Sequence, residues 1–305
     1  MTFHVVTFYQ IAYVKDPMKL SRDVERISTK EGLSGTFFST PQGVNATLSG
    51  SLEGLNQIVH LLQNSYALNV TPAWSAAKKN PFKRFKVKLK DKLLPLEGDF
   101  DPVISRGKHV RPDNWNELIS DPDTTVVDVR NNYESNIGSF KNSLIPGTEN
   151  FIDFPDYVES NLDSVKNKKI AMFCTGGIRC EIASSYLMSK GFDEVYQLEG
   201  GVLKYLESVK VEDQLWEGEC FVFDERVSVN KALEEGNFIQ CFGCRRPLTQ
   251  DEVNSKYYKK GVSCRFCYKE SSESDKERFA QRQKQIELAD QRGHKHMGVT
   301  AKQTK

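Results

Sequence analysis

None of the seven cysteines in this 305-residue chain falls within its first 173 positions. An odd number confined to the second half does not fit a secreted disulfide framework, which spreads paired cysteines over a small domain. Long apolar runs are also missing, and the longest hydrophobic stretches have the length of strands, so no membrane span is expected. The opening MTFHVVTFYQ has no basic start, no extended apolar core and no small-residue cleavage site. We read no secretory signal there and expect a cytoplasmic location. Repeats of fixed period, a flavin or dinucleotide fingerprint and a His/carboxylate iron triad are not evident. Five histidines are present, and two of them, His294 and His296, sit in a polar tail.

What is present is an uneven distribution of charge. The formal net charge is only +1, yet residues 78–92 hold eight basic side chains against one acidic. Residues 93–240 are strongly acidic, and residues 241–305 are basic again, with 15 cationic against 8 anionic side chains. Two basic segments flanking an acidic middle suit a polyanion held from two sides, or else two solvated surfaces.

The pattern of apolar residues predicts an α/β protein of several units. Val5–Val14 reads as a strand. Asp16–Lys30 reads as a helix entered through Pro17, with Leu20, Val24 and Ile27 on one face. Gly35–Ser39 and Gly43–Ser49 read as a hairpin, Ser51 opens a second helix, and Phe82–Leu89 alternates apolar residues with lysines. That β-α-β-β-α-β order predicts a ferredoxin-like (acylphosphatase-like) basic domain over residues 1–92. Lys86, Lys88 and Lys90 would then share one face of its last strand, with Phe85, Val87 and Leu89 turned inward. Residues 93–109, with Pro95, Gly98, Pro102 and Gly107, read as a linker. Thr125–Val129, a β-branched run, and the similar runs Ile170–Phe173 and Val195–Leu198 read as strands buried on both faces and separated by helical stretches, which predicts a parallel-sheet domain over residues 110–212. A β-rich, cysteine-bearing segment follows over 213–270, then a charged helical tail over 271–305.

Cys174 stands where a buried strand gives way to a helix, in the run Cys174-Thr175-Gly176-Gly177-Ile178-Arg179. A glycine-rich strand-to-helix turn aims several backbone N–H groups at one point, with the positive helix end behind them and Arg179 beside them. Such a nest favours thiolate over thiol, which makes the cysteine a nucleophile. The phosphatase cradle needs five residues between Cys and Arg. Four separate them here, and the smaller cradle suits one extra sulfur atom, as in a persulfide. Cys180 follows at once, either as a resolving thiol or as a small inert helix residue.

Cys241-x2-Cys244 and Cys264-x2-Cys267 have zinc-ribbon spacing, with four thiolates for one tetrahedral ion. Between them lie Arg245, Arg246, Lys256, Lys259 and Lys260 with Tyr257 and Tyr258. Cations interleaved with rings suit phosphates and stacked bases. Together with Lys83, Arg84, Lys86, Lys88 and Lys90, Arg245 and Arg246 form the candidate RNA-binding set.

The cysteine loop, the upstream run Asp128-Val129-Arg130-Asn131-Asn132-Tyr133-Glu134 and the ending Leu198-Glu199-Gly200-Gly201 resemble the rhodanese family. The resemblance puts Asp128 and Arg130 at the end of a strand beside the loop, where they read first as a structural ion-pair network with Glu134. With Gly43-Val44-Asn45-Ala46-Thr47, the Phe82–Lys90 strand, Trp216–Asp224 and the tail from Lys276 to Ala289, the chain resembles the bacterial rhodanese-related tRNA uridine hydroxylases, formerly grouped as UPF0176-type proteins. That resemblance implies oxygen-dependent conversion of the wobble uridine of tRNA, position 34, to 5-hydroxyuridine, with Cys174 as the essential cysteine working through a persulfide. The residues alone predict sulfur transfer from a sulfur donor. Two rival functions are therefore a thiosulfate sulfurtransferase and a zinc-ribbon scaffold with an idle rhodanese domain.

Overall fold

The computed structural model of the protein describes residues 3–165 and 168–293. The last part of the expected tail, including His294 and His296, lies outside the described residues. Strand β1 (Phe3–Ile11) leads to α1 (Pro17–Lys30), whose first turn is fixed by Asp16 accepting the Lys19 N–H and by Pro17 at the start. Strands β2 (Ser34–Thr40) and β3 (Gly43–Gly50) form the expected hairpin, and Ser51 caps α2 (Leu52–Tyr66) through the Gly54 N–H.

The end of this unit differs from the sequence expectation. Ala73–Ala77 forms β4, which pairs antiparallel with β1, and Phe85–Leu89 forms an additional strand, β5, parallel to β2 at the far edge. The sheet order is β4-β1-β3-β2-β5. The sequence Ala-Trp-Ser-Ala-Ala has neither alternation nor β-branched residues, so β4 carries no local signal. Leu89, expected to turn inward, is 50% exposed because it lies at the open end of an edge strand. Phe85 and Val87 do pack on the helical side, against a core of Val6, Phe8, Phe37, Val44, Leu48 and the apolar faces of α1 and α2.

Helices cover only one face of this sheet. The register aligns Tyr9, Asn45, Phe38 and Lys88 in one row across the other face, and Thr7, Thr47, Thr36 and Lys86 in the next. Paired residues point the same way, so the lysines of β5 share a face with Phe38 and Asn45.

The second unit runs β6 (Lys108–Val110), α3 (Pro112–Ser120), β7 (Thr124–Asp128), α4 (Asn132–Ser135), β8 (Gly138–Phe140), α5 (Phe154–Asn161), β9 (Lys169–Phe173), α6 (Ile178–Ser189), β10 (Val195–Leu198) and α7 (Gly201–Ser208). Four of its five strands form a parallel sheet, in the order β6-β10-β9-β7, and β8 stands outside it. The segment expected as a linker is part of this unit's packing. Leu93 and Leu96 are buried among Val129, Phe154 and Ile182, and the Phe100 ring meets Tyr186 edge-on at 5.8 Å.

The following stretch adds to the same unit. Strand β11 (Trp216–Gly218) pairs with β8, and Trp216 sits edge-on to Phe140 at 5.2 Å. The short strands β12 (Cys220–Phe221) and β13 (Ser228–Val229) form a hairpin. Strands β14 (Ile239–Gln240) and β15 (Pro247–Leu248), with α8 (Gln250–Val253), frame the four-cysteine module. Helix α9 (Glu273–Gln291) buries none of its residues. Among the described residues no helix is long and apolar enough to cross a membrane.

Candidate active site and metal centre

Strand β9 delivers Cys174 to the N-terminus of α6. Gly177, the residue before that helix, has a φ of +96°, a conformation that glycine adopts without strain. Its N–H donates to Cys174 Sγ at 3.1 Å. Cys174 is only 1% exposed. Burial alone would push its thiol up, but the Cys180 thiol, the Arg179 charge and the backbone N–H groups of Cys180 and Arg179 oppose it. The net result is a thiol held at about 6, a thiolate at neutral pH. Burial, and the negative sulfur of Cys174 next to it, push Cys180 well above the usual thiol range. Cys180 is therefore the protonated member of the pair. Gly201 explains the glycine pair at the end of β10. A side chain there would lie 2.5 Å from the Cys174 carbonyl and 2.6 Å from the Gly177 nitrogen, so only glycine lets α7 approach the loop.

The charge of Arg179 is balanced inside the protein. Its guanidinium donates two bonds to the fully buried Glu134, at 2.5 and 2.8 Å, and Thr175 Oγ1 donates to the same carboxylate at 3.2 Å. Glu134 is thus the counter-ion of the cysteine loop, a role visible only in three dimensions. A bidentate pair this deep holds a fixed geometry, and loss of either member would strand a buried charge. Asp128 and Arg130 pair with each other at 2.6 and 2.8 Å, and Arg130 lies over the Trp216 ring at 4.9 Å. Neither borders the cleft that holds Cys174. Their contacts are those of a structural network beneath the loop.

The open face of the first sheet closes over this loop. Between them lies a cleft of about 440 Å³. Its walls include Thr36, Phe38, Asn45, Thr47 and Lys88 from the sheet, Cys174, Gly176 and Arg179 from the loop, and Phe223 from the β12–β13 hairpin. Tyr9 locks the two units together, its hydroxyl donating to Glu181 at 2.8 Å. Glu181 also meets His109 Nε2 at 2.8 Å, Arg106 Nε at 3.1 Å and Gln197 Nε2 at 3.2 Å. Sequence reasoning missed Tyr9, Phe38, Glu181 and Phe223. Asn45 and Thr47 do stand in a marked run, Gly43–Thr47, and Phe223 in another, Trp216–Asp224, but neither run points to a cleft wall.

Residues 3–93 match the UPF0176 acylphosphatase-like domain, and residues 112–208 match the rhodanese-like domain. The chain belongs to the UPF0176 rhodanese-related family. Its rhodanese unit is similar to the rhodanese-like domain of an Anabaena protein, at 24% identity over 36% of this chain and 78% of that one, with a TM-score of 0.30. A rhodanese-like domain protein from Staphylococcus aureus matches at 27% identity over 32% of this chain and 90% of its own, with a TM-score of 0.27. A rhodanese-related protein from Thermoplasma volcanium matches at 24% identity over 33% and 91%, with a TM-score of 0.26. The rhodanese domain makes this UPF0176 protein enzyme-like, of the sulfurtransferase type.

In this UPF0176 protein the two basic segments meet. The Lys86 ammonium is held below its usual range by burial and by the charges of Arg84, Lys88 and Arg245. Arg245 therefore lies within electrostatic reach of β5, although about 160 residues separate them in the chain. Two of the expected RNA-binding cations serve other contacts. Lys83 pairs with Glu225 at 3.3 Å, and Arg246 bridges Glu149 at 3.0 Å and Glu270 at 3.1 Å. Arg84, Lys86, Lys88, Lys90 and Arg245 have no ion-pair partner among the described residues.

The four C-terminal cysteines converge. Their sulfur atoms all lie within 4.8 Å of one another, with Cys241–Cys267 at 3.9 Å, Cys244–Cys264 at 3.7 Å and Cys264–Cys267 at 3.8 Å. A disulfide would require about 2.05 Å. A tetrahedron of thiolates with metal–sulfur bonds of about 2.3 Å has edges of about 3.8 Å. The donor set and spacing fit one tetrahedral ion.

Proposed function

We propose that this protein hydroxylates the wobble uridine of tRNA, position 34, to 5-hydroxyuridine, with Cys174 as the reacting cysteine and molecular oxygen as co-substrate. The observation that carries this reading is the shared face of the first sheet. The lysines of β5 stand in the same cross-strand rows as Phe38, Asn45 and Thr36, and this surface opens onto the Cys174 cleft. A sulfurtransferase acting on thiosulfate needs no cationic strand and no aromatic walls around its cysteine. A polynucleotide needs both, cations for its phosphates and rings for an unstacked base.

The chemistry follows from the loop. Sulfur of Cys174, as thiolate or persulfide, adds to C6 of the uracil ring, and the electron pair displaced to C5 makes that carbon nucleophilic. One oxygen atom of O2 enters at C5. The other leaves as water with two electrons and two protons from an external reductant. Loss of the C5 proton and expulsion of the sulfur then restore the ring. The Gly177 N–H and the adjoining backbone donors stabilise negative sulfur at both ends of this sequence.

Zinc is the ion we assign to Cys241, Cys244, Cys264 and Cys267, in a structural role. Its site carries Arg245 to the basic face of β5. The test of the whole reading is nucleoside mass spectrometry on tRNA from cells that carry only the Cys174→Ser protein. A serine hydroxyl stays protonated near neutrality, so 5-hydroxyuridine should vanish while the protein remains folded. Persistence of the modified nucleoside would overturn the assignment. Thiosulfate turnover with no RNA oxidation by the wild type would favour the sulfurtransferase.

A further inference from the structure

The hairpin between β12 and β13 presents Phe223 at 60% exposure, on a turn that is otherwise firmly anchored. Arg226 grips Asp224 at 2.6 Å and reaches Ser75 Oγ of β4 at 3.0 Å. The Glu225 N–H donates to the Pro81 carbonyl at 3.1 Å, and Val222 and Val227 close the turn at 2.9 Å. The tip is thus tied to the first unit on both sides, and an aromatic ring is held out in the mouth of the Cys174 cleft. The edge of Phe221 meets it at 5.1 Å, and the Arg179 guanidinium lies 5.8 Å from its centroid.

A second ring lines the same cleft. Phe38 projects from the open face of the sheet between Lys88 and Lys90, whose ammonium groups lie 5.0 and 5.4 Å from its centroid. Asn45 is its cross-strand neighbour. The cleft therefore has aromatic walls contributed by two different units, the reactive sulfur within it, and a cluster of unpaired cations at its rim. Its volume, about 440 Å³, is in the range of a small-ligand site.

We propose that Phe223 and Phe38 form a stacking clamp that receives one unstacked pyrimidine base of an RNA, while the β5 cations hold its flanking phosphates. The inference rests on the functional reading above and names the residues that bind the target base. The clamp requires the base to leave its neighbours, so paired RNA is excluded from the cleft. Base–aromatic stacking tolerates sequence and depends on the flat ring. Leucine, of comparable apolar character, cannot replace it, whereas tryptophan can.

The test uses the full-length protein and an anticodon stem-loop RNA with a fluorescent pyrimidine, pyrrolocytidine, at the target position. Its emission reports on stacking. Wild type and Phe223→Trp should change the emission on binding. Phe223→Leu and Phe38→Leu should abolish the change and weaken binding by about 5- to 150-fold per ring. The salt dependence of binding should stay the same, because no phosphate contact is removed. A change in salt slope for Phe38→Leu would mean that this ring acts only by placing Lys88 and Lys90, and would overturn its part in the clamp. Leucine variants that match wild type in affinity and emission would overturn the clamp while uridine oxidation by the wild type left the functional reading intact. Wild type that neither binds the RNA nor oxidises uridine would bring down that reading, and the clamp with it.

Discussion

Replacing Lys86, Lys88 and Lys90 by glutamine tests the polyanion face directly. Five cations, Arg84, Lys86, Lys88, Lys90 and Arg245, lack an ion-pair partner among the described residues and cluster around β5. Each phosphate contact in a single-stranded segment contributes about 0.7 to the slope of log affinity against log salt. Five contacts predict that affinity for an anticodon stem-loop falls about 130-fold between about 50 and 200 mM salt. With three removed, two remain, and the fall should be only about 7-fold over the same range. The glutamine stems still cover part of the Phe38 ring, so the local packing that Lys88 and Lys90 provide is largely kept. Fluorescence anisotropy at several salt concentrations measures the slope, and a thermal melt checks that the variant is folded. A triple variant with the wild-type slope and affinity would refute the reasoning, and would shift the RNA contact to the segment around Arg245–Lys260.

Two further outcomes follow from the chemistry of the sulfurs. Iodoacetamide should alkylate Cys174 at a rate that rises with pH through about 6 and levels off above neutrality, because lowering the pH below that value protonates the thiolate. A half-rise near the ordinary thiol range, about 8.5, would show that the loop does not hold an anion. Elemental analysis of the purified protein should find about one zinc per chain, bound by Cys241, Cys244, Cys264 and Cys267. Protein prepared without oxygen that contains no metal and two disulfides would contradict that site.

Several features were legible in the chain because their signals are local. The Cys174 loop is six consecutive residues, and each Cys-x2-Cys turn spans four, so the spacing alone specifies which atoms can meet. The caps Asp16 and Ser51 and the three continuous apolar strands around the cysteine loop are equally local. Conversely, β4 carries no local signal, because its five residues lack the alternation that a half-buried strand displays. The sequence also shows β5 as a strand but counts it as the closing strand of the β-α-β-β-α-β order, since periodicity reports an element and not its partner.

The assembly of the site belongs to the tertiary structure. Glu134 and Arg179 are 45 residues apart, Tyr9 and Glu181 are 172 apart, and Phe223 reaches the cleft from a third segment. Such pairings leave no period, spacing or composition in the sequence, because burial and shape select them only after the chain has folded. For the same reason the sequence offers Arg246, which follows Arg245 beside a Cys-x2-Cys turn, as an RNA contact, whereas the fold pairs it with the carboxylates of Glu149 and Glu270. The sequence by itself determined which cysteine ends a strand at a glycine-rich turn and which four cysteines come in two Cys-x2-Cys pairs. The fold decided what that sulfur faces, since only the register of β5 against β2 turns the lysines to the side of the sheet that covers Cys174.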